Sequence, residues 1–414
     1  MKINNSHRLA FPFMLFIGCF LHYAAKDPKT EIGSNAEGWK VMAEKSLFLE
    51  TPNYEVDTSG DKTIVLPHAP GETRKEKLFF SGELLKKIMK ERRPAAFSLG
   101  QSKKKRNIEA WYFPGSSDKR ALVIGGVHGT ELSAIEVATT LINTLKSAGN
   151  IYYSVIIIPC LFPDNAATAE KNPREIGSTR NIGRYSLSTT PDPNRQMPTP
   201  GEPFDEESFR DHLGREIEKE NRLLLQLISV FRPNRIANIH STRDMGYAGI
   251  FADPRTDSRS HALGFETDSS LAIAMASLLY TRKGYIPGNN LEKKATALYY
   301  KDPLPVAKGL FQERNLSGSS LSFNRGYGIS LGTWGSTAIS CAGDSQMNRA
   351  AMRIITMEFP GYKRSHDYKN KKQQNYFMQQ VQLYASSIEM IFLREFFVEE
   401  NITDQQAGSV RKVE

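Results

Sequence analysis

Residues 120–132 read RALVIGGVHGTEL. The run 120–128 is apolar almost throughout, the signature of a strand buried on both faces in a mainly parallel sheet. The stretch 131–149, ELSAIEVATTLINTLKSAG, then places apolar residues at helical spacing and stops at a glycine. His128 and Glu131 stand three apart where the strand gives way to the helix. Either they are two ligands of one cation, or this is an ordinary strand-to-helix turn with polar residues in it. The rest of the chain has to decide.

Outward from this stretch the same alternation recurs. Residues 79–92 have helical spacing, and 108–115 read as a strand ended by Pro114-Gly115. YYSVIIIPCLFP (152–163) is a second buried strand, and 164–205 is a long polar segment rich in Pro, Asn, Arg and Gly. A segment of that kind inside a domain usually carries function. A helix is expected over about 206–231, then a strand at RIANIHS (235–241). Residues 242–330 are mixed, with one helix at 268–284. MRIITMEFPG (352–361) is another buried strand, and 372–397 a long terminal helix. Strands alternating with helices predict an α/β fold with a mixed, mainly parallel central sheet sandwiched by helices. The expected organisation is a leader over 1–25, an N-terminal extension over 26–75, a catalytic domain over 76–398 with an insertion at about 255–325, and a polar tail over 399–414.

Composition narrows the classes. The chain has 414 residues, 40% of them hydrophobic and 24% charged, which suits a large core and excludes general disorder. The net charge is +9, but the densest basic cluster, Lys103 to Arg106, is only four long, so nothing points to nucleic acid. An affinity for anionic cell-envelope polymers fits the charge as well as a solvated surface does. Lys2 and Arg8 precede an apolar run from Leu9 to Leu21 that turns polar at Lys26, the pattern of a secretory signal. The run is too short for a convincing membrane span. FIGC, Phe16 to Cys19, is similar to a bacterial lipobox and would make Cys19 a lipidated membrane anchor; Ala24-Ala25 is the alternative cleavage site. The protein is therefore expected in the periplasm or lipid-anchored in the envelope. Cys160 and Cys341 are left; the default for Cys160 is a buried free thiol, and a bridge between the two stays open. No CxxC is present, which argues against cysteine-ligated zinc.

His128, His240 and Glu358 all fall at or near the end of an expected strand, as does Pro163-Asp164-Asn165. In parallel sheets ligands bind beyond the carboxyl ends of strands. Zinc takes N and O ligands in a tetrahedron, three from protein and one open position. His128 and Glu131 can face one crevice, and His240, ending RIANIH, is the natural third ligand. Taken singly, each has an ordinary structural reading. His68, His212, His261 and His366 lie in polar or helical surroundings and are not expected to touch metal.

As an ordered set, HGTE (128–131), the Asn194-Arg195 pair in DPNRQ, a His ending a strand and a Glu ending a strand resemble the zinc carboxypeptidase family, from about residue 90 to 365. The resemblance implies a carboxypeptidase-like (phosphorylase/hydrolase-like) fold. It implies Zn2+ held by His128, Glu131 and His240. Asn194 and Arg195 would bind the substrate's terminal carboxylate, a task that suits a guanidinium fork. Glu358, in ITMEFPG, would be the catalytic glutamate. An oxyanion-stabilising arginine is expected among Arg174, Arg180 and Arg184, with Arg180 favoured. Tyr327, in NRGYGISLGTWGS, would be a tyrosine that covers the substrate, or else a core aromatic. SLGTW (330–334) resembles bacterial members that act on cell-wall peptides, so peptides with a free carboxylate, murein peptides above all, are the expected partners.

The succinylglutamate desuccinylase and aspartoacylase group shares the His-x-x-Glu, the Asn-Arg and the second His, and its members hydrolyse N-acyl amino acids. The leader and SLGTW favour peptides. A binding module with a decayed site is the non-enzymatic alternative, and the full set of expected polar residues argues against it.

Overall fold

The computed structural model describes residues 81–395 apart from 148–150, 178–181, 188–189, 254, 257–261, 265, 290–326 and 342–344. The leader with Cys19, the extension 26–75, Arg180, residues 290–325 of the expected insertion and the tail 399–414 lie outside the described residues. The elements in chain order are α1 (Gly82–Glu91), β1 (Ala95–Gln101), β2 (Asn107–Phe113), β3 (Arg120–Ile124), α2 (Leu132–Ser147), β4 (Ser154–Ile158), α3 (Pro163–Lys171), α4 (Lys219–Phe231) and β5 (Arg235–Thr242). They continue with β6 (Gly249–Ala252), a short ribbon of β7 (Arg255–Thr256) and β8 (Ala262–Gly264), α5 (Glu266–Thr281), α6 (Leu331–Gly335), β9 (Arg353–Pro360) and α7 (Lys371–Ser387).

Seven strands form one sheet in the order β1-β2-β4-β3-β5-β9-β6. The central four, β4-β3-β5-β9, are parallel. The flanking pairs β1-β2, β2-β4 and β6-β9 are antiparallel. The fold is therefore the expected mixed, mainly parallel α/β sheet. After β3 the chain crosses to β4 on one side and later returns to β5 on the other. The crevice between β3 and β5 is thus the topological switch point, where parallel sheets bind ligands.

Alternation along the strands assigns the two faces. Ala121, Val123, Val155, Ile157, Ala237, Ile239, Ile355 and Met357 pack against α2, α5 and α7. Leu122, Ile124, Ile156, Ile158, Ile236 and Ile354 pack on the other side with α1, α4 and Trp334 of α6. Each Val, Leu, Ile or Met among them contributes roughly 1.5–3 kcal/mol on burial, each Ala less. The same parity puts Asn238 and His240 on the α1/α4 face with Ile236, and Glu358 there with Ile354. They interrupt the apolar lining where β5 and β9 end.

Several elements differ from the sequence expectation. The helix expected over 206–231 starts only at Lys219. Before it the chain turns: the Asp211 carboxylate accepts from Leu213 N (2.9 Å) and Arg215 N (2.8 Å), and Gly214 takes a positive φ of 73°. A short polar side chain that bonds its own backbone competes with helix. The polar segment 164–205 is not loop throughout, because α3 begins it with Pro163 in its first turn and Asp164 beside it. Both are favoured at helix starts. Strands β1 (AAFSLGQ) and β6 (GIFA) escaped the sequence reading because their small residues and short length give little periodicity. The terminal helix ends at Ser387 and closes with a π turn, Ile388–Phe392. Cys160 and Cys341 are both free thiols, each half-buried. Among the described residues no helix is long and apolar enough to cross a membrane.

Candidate metal centre

The opening stretch owes its shape to its glycines. Beyond Ile124 the backbone keeps pairing with the segment after β4: Gly125 N donates to Ile158 O (2.9 Å), and Gly125 O and Gly126 O accept from Leu161 N and Phe162 N (3.0 Å each). Gly126 has a φ of +62°, a conformation that costs a side-chained residue about 1–2 kcal/mol. At Gly129 a Cβ would stand 2.2 Å from the carbonyl carbon of Asn165, so only glycine lets the loop lie against α3. This wedge turns His128 back over the sheet. Glu131 N then donates to His128 O (3.1 Å), and α2 begins.

His240 comes from β5, and its in-register neighbour on β9 is Glu358. Neighbours in register leave the sheet on the same side, so this carboxylate and this imidazole stand adjacent. His128, Glu131, His240 and Glu358 are 3%, 2%, 3% and 5% exposed. The ligand atoms of His128, Glu131 and His240 lie within 4.8 Å of one another, the only such grouping of His, Cys, Asp and Glu among the described residues.

Glu131 is the hub. Its Oε1 faces His128 Nδ1 (2.8 Å) and accepts from Arg184 Nη1 (2.7 Å). Its Oε2 faces His240 Nδ1 (3.0 Å) and accepts from Ser241 N (3.1 Å). Burial opposes a charge on Glu131, but the two imidazoles and the guanidinium outweigh it and hold the carboxyl well below the usual range. His128 is treated in the opposite sense. Burial and Arg184 pull its pKa down, yet Glu131 and Asp192 together raise it above the ordinary value.

The second nitrogen of each ring is also engaged. His128 Nε2 lies 2.9 Å from Asp192 Oδ1. Burial opposes that charge as well, and His128 still draws the Asp192 carboxyl down. A carboxylate behind a ligating imidazole fixes its tautomer and strengthens it as a donor. His240 Nε2 meets the Asn238 amide at 3.0 Å and the Asn194 amide at 3.4 Å. Asn238 Oδ1 is buried with no hydrogen-bond partner among the described residues. With the amide turned over, that oxygen would accept from Nε2–H and leave the Nδ1 lone pair of His240 free. Two Nδ1 atoms and a carboxylate converging under such support are the donor set of a divalent transition metal, and the residues present fit zinc.

The other expected residues fall around this centre. Asn194 and Arg195 lie in a 3-10 turn, Pro193–Arg195, whose first backbone N–H is capped by Asp192: its Oδ1 accepts from Asn194 N (2.8 Å). Arg195 Nη1 donates to Asn194 O (2.7 Å). Tyr327 is half-buried beside Arg195: one nitrogen of Arg215 donates to both Arg195 O (2.7 Å) and Tyr327 O (2.9 Å). SLGTW forms α6, in which Trp334 is 1% exposed and donates Nε1–H to Glu202 O (2.9 Å), a packing role. Of the three candidate arginines, Arg174 is exposed, Arg180 lies outside the described residues, and Arg184 reaches the cluster. Sequence reasoning missed Asp192, Asn238 and Tyr362, whose hydroxyl is 3.2 Å from Arg184 Nη1. A signal existed for Asp192, the acid that opens DPNRQ.

No protein-family model and no curated protein matches the sequence. Among solved structures the chain is similar to the murein-tripeptide amidase MpaA of Escherichia coli O157, at 17% identity over 69% of this chain and 91% of that one, with a TM-score of 0.32. It is similar to a metallo-carboxypeptidase from Burkholderia cenocepacia, at 12% identity over 75% and 68% with a TM-score of 0.38. It is also similar to thrombin activatable fibrinolysis inhibitor, at 12% identity over 86% and 82% with a TM-score of 0.40. At such distances the functional reading rests on the side chains described above.

Proposed function

We propose that this chain is a metal-dependent hydrolase that cleaves an amide bond next to a free carboxylate, with zinc as its metal and cell-wall peptides as its substrates. The observation that carries the reading is the convergence of one ligand atom each from His128, Glu131 and His240 within 4.8 Å, with both Nδ1 atoms facing the Glu131 carboxylate, at strand ends that also deliver Glu358. Bound there, zinc would supply Lewis acidity to the carbonyl under attack and to the water that attacks it. Glu358, the strand neighbour of His240, takes the proton from that water and hands it to the departing nitrogen. Asn194 and Arg195, on the turn capped by Asp192, hold the free carboxylate, so the scissile bond arrives oriented. Tyr327, half-buried beside Arg195, is the candidate to cover the substrate, and Arg180 stays a candidate for the oxyanion. The cell-envelope setting is supported by the basic-then-apolar start of the chain and by SLGTW, with Cys19 as the residue a lipid anchor would use.

Purified protein is expected to hold about one zinc per chain. Glu358→Gln is expected to keep the zinc and to lose on the order of 10²–10⁴ in turnover, the usual contribution of a positioned acid/base. Retention of wild-type turnover would refute the assignment. Muropeptides, dipeptides and N-acyl amino acids assayed side by side separate the peptide substrate from the acylated amino acids of the desuccinylase group; hydrolysis confined to the latter would replace the substrate class and keep the metal.

A further inference from the structure

Most of the turn that carries Asn194 and Arg195 is held by near neighbours. Asp192 caps Asn194 N, the Asn221 amide donates to Pro193 O (2.8 Å), and Gln196 Oε1 accepts from Glu218 N (2.9 Å). The carbonyl of Arg195 is a different case. A continuing 3-10 turn would satisfy it with the N–H of residue 198, but residue 198 is proline and has none. Its donor comes from a distant segment. Arg215 Nη2 reaches Arg195 O at 2.7 Å, and the same nitrogen reaches Tyr327 O at 2.9 Å.

Arg215 is itself held in place. Its Nε donates to Asp211 Oδ2 (2.6 Å), while Asp211 Oδ1 accepts from Leu213 N (2.9 Å) and Arg215 N (2.8 Å). Acid and base thus sit on one self-braced turn, with Asp211 only 6% exposed. Gly328 leaves the guanidinium its path: a Cβ there would stand 2.2 Å from Arg195 O and 2.6 Å from Arg215 Nη2. A planar guanidinium can serve a carboxylate through one nitrogen and two carbonyls through another, which the single point of an ammonium cannot.

We infer that Arg215 is a positioning residue for substrate binding: it clamps the Arg195 carbonyl, so that the Arg195 side chain leaves the turn in a fixed direction, and it ties Tyr327 to the same point. The inference rests on the proposed role of Arg195 in gripping the free carboxylate. A held carbonyl fixes ψ of Arg195 before substrate arrives, so binding does not have to order the turn.

The test is steady-state kinetics on the fastest substrate among the muropeptides, dipeptides and N-acyl amino acids, with Arg215→Lys as the first variant. The lysine keeps a cation for buried Asp211 and loses the shared grip on the two carbonyls. KM is expected about tenfold above wild type, with kcat within about threefold of it. Bound zinc and the thermal midpoint should stay near wild type. The decisive arm is the double variant. When Arg195 is alanine, Arg215→Lys should add no further loss, because the clamp acts through the residue already removed. Arg215→Gln should raise KM at least as much as the lysine, and should also lower the thermal midpoint by leaving Asp211 unpaired. An unchanged KM in Arg215→Lys, or the same loss with and without Arg195, would overturn the inference and reduce Arg215 to a brace of its own loop. A KM unmoved by Arg195→Ala, or no turnover of any of these substrates by wild type, would strike the proposed function itself and this inference with it.

Discussion

The two ends of strand β5 treat buried charge in opposite ways. At the N-terminal end Arg235 is 1% exposed. Its guanidinium lies 3.9 Å from the Tyr153 ring centroid and donates to Tyr153 Oη (2.5 Å) and Phe392 O (2.7 Å). Burial brings its pKa down only to about 10, with Tyr153 and Asp268 working against the fall. A hydroxyl, a carbonyl and a π face engage this one cation, with the charge of Asp268 in support, and the arrangement braces the strands against the closing π turn. At the C-terminal end, five residues further on, His240 joins His128 and Arg184 around the carboxylate of Glu131, with Asp192 behind His128. Stability alone does not ask for so many ionisable groups in one place, because desolvating each costs several kcal/mol. Perturbed groups gathered at strand ends mark function. A buried charge is therefore no sign of a site by itself; convergence of several from distant segments is.

The largest expected effect that separates the ends is on folding. Arg235→Met should cost about 3–5 kcal/mol in urea unfolding, since Tyr153 Oη and Phe392 O lose their donor in the core. Zinc bound per folded molecule should not change. A loss of zinc affinity in that variant would show that the ends are coupled and the contrast false.

At the other end, Asp192→Asn should weaken zinc binding 10–100-fold by removing the carboxylate behind His128, with little effect on the melting midpoint of metal-free protein. Isothermal titration with zinc decides it, and an unchanged affinity would take Asp192 out of the centre.

The ends should also differ in pH dependence. Without metal, Glu131, ordinarily 4.5 and held well below that, contributes stability above about 4.5 that is lost as pH falls through its folded value. His128, ordinarily 6.5 and raised, contributes stability below about 6.5 that is lost as pH rises through its folded value. Chelated protein should therefore be most stable between those two values, and Glu131→Gln should flatten the profile. Arg235 stays charged until about pH 10 and adds no slope there. A stability maximum well above pH 7 in chelated protein would contradict the contacts around Glu131.

The smallest effect concerns Cys160, close to the site but outside it. Burial, aided by Glu170, pushes its thiol up to about 12. Only roughly one molecule in ten thousand carries the thiolate at pH 8, so iodoacetamide should label it slowly in native protein, about tenfold faster per added pH unit. Rapid labelling at neutral pH would mean that the loop after β4 opens.

Much of the centre was legible before any coordinates. His128 and His240 could be read because each sits where an apolar run stops, and Glu131 because it follows His128 by three at a helix start, signals that a one-dimensional pattern carries. The roles of Glu358, Asn194 and Arg195 come from a resemblance alone, and Asp192, two residues before Asn194, was passed over because nothing local says which imidazole a carboxylate will meet. Arg184 could not be told from its neighbours Arg174 and Arg180, since all three lie in a polar segment without periodicity. Strand β6 was invisible for a related reason: four residues, GIFA, become a strand only because β9 offers them a free edge.

What the sequence determined by itself is local. Hydrophobic period set the strands and helices, and Gly126 and Gly129 set a turn only they could make, because backbone sterics and side-chain burial act over a few residues. What the tertiary structure decided is which of these local pieces meet. Parallel pairing of β3, β5 and β9 carries Glu131, His240 and Glu358 to one end of the sheet across more than 200 residues of chain. The loops then choose which polar side chains stand behind them, because the partner of a buried charge is settled by distance in space and not by distance along the chain.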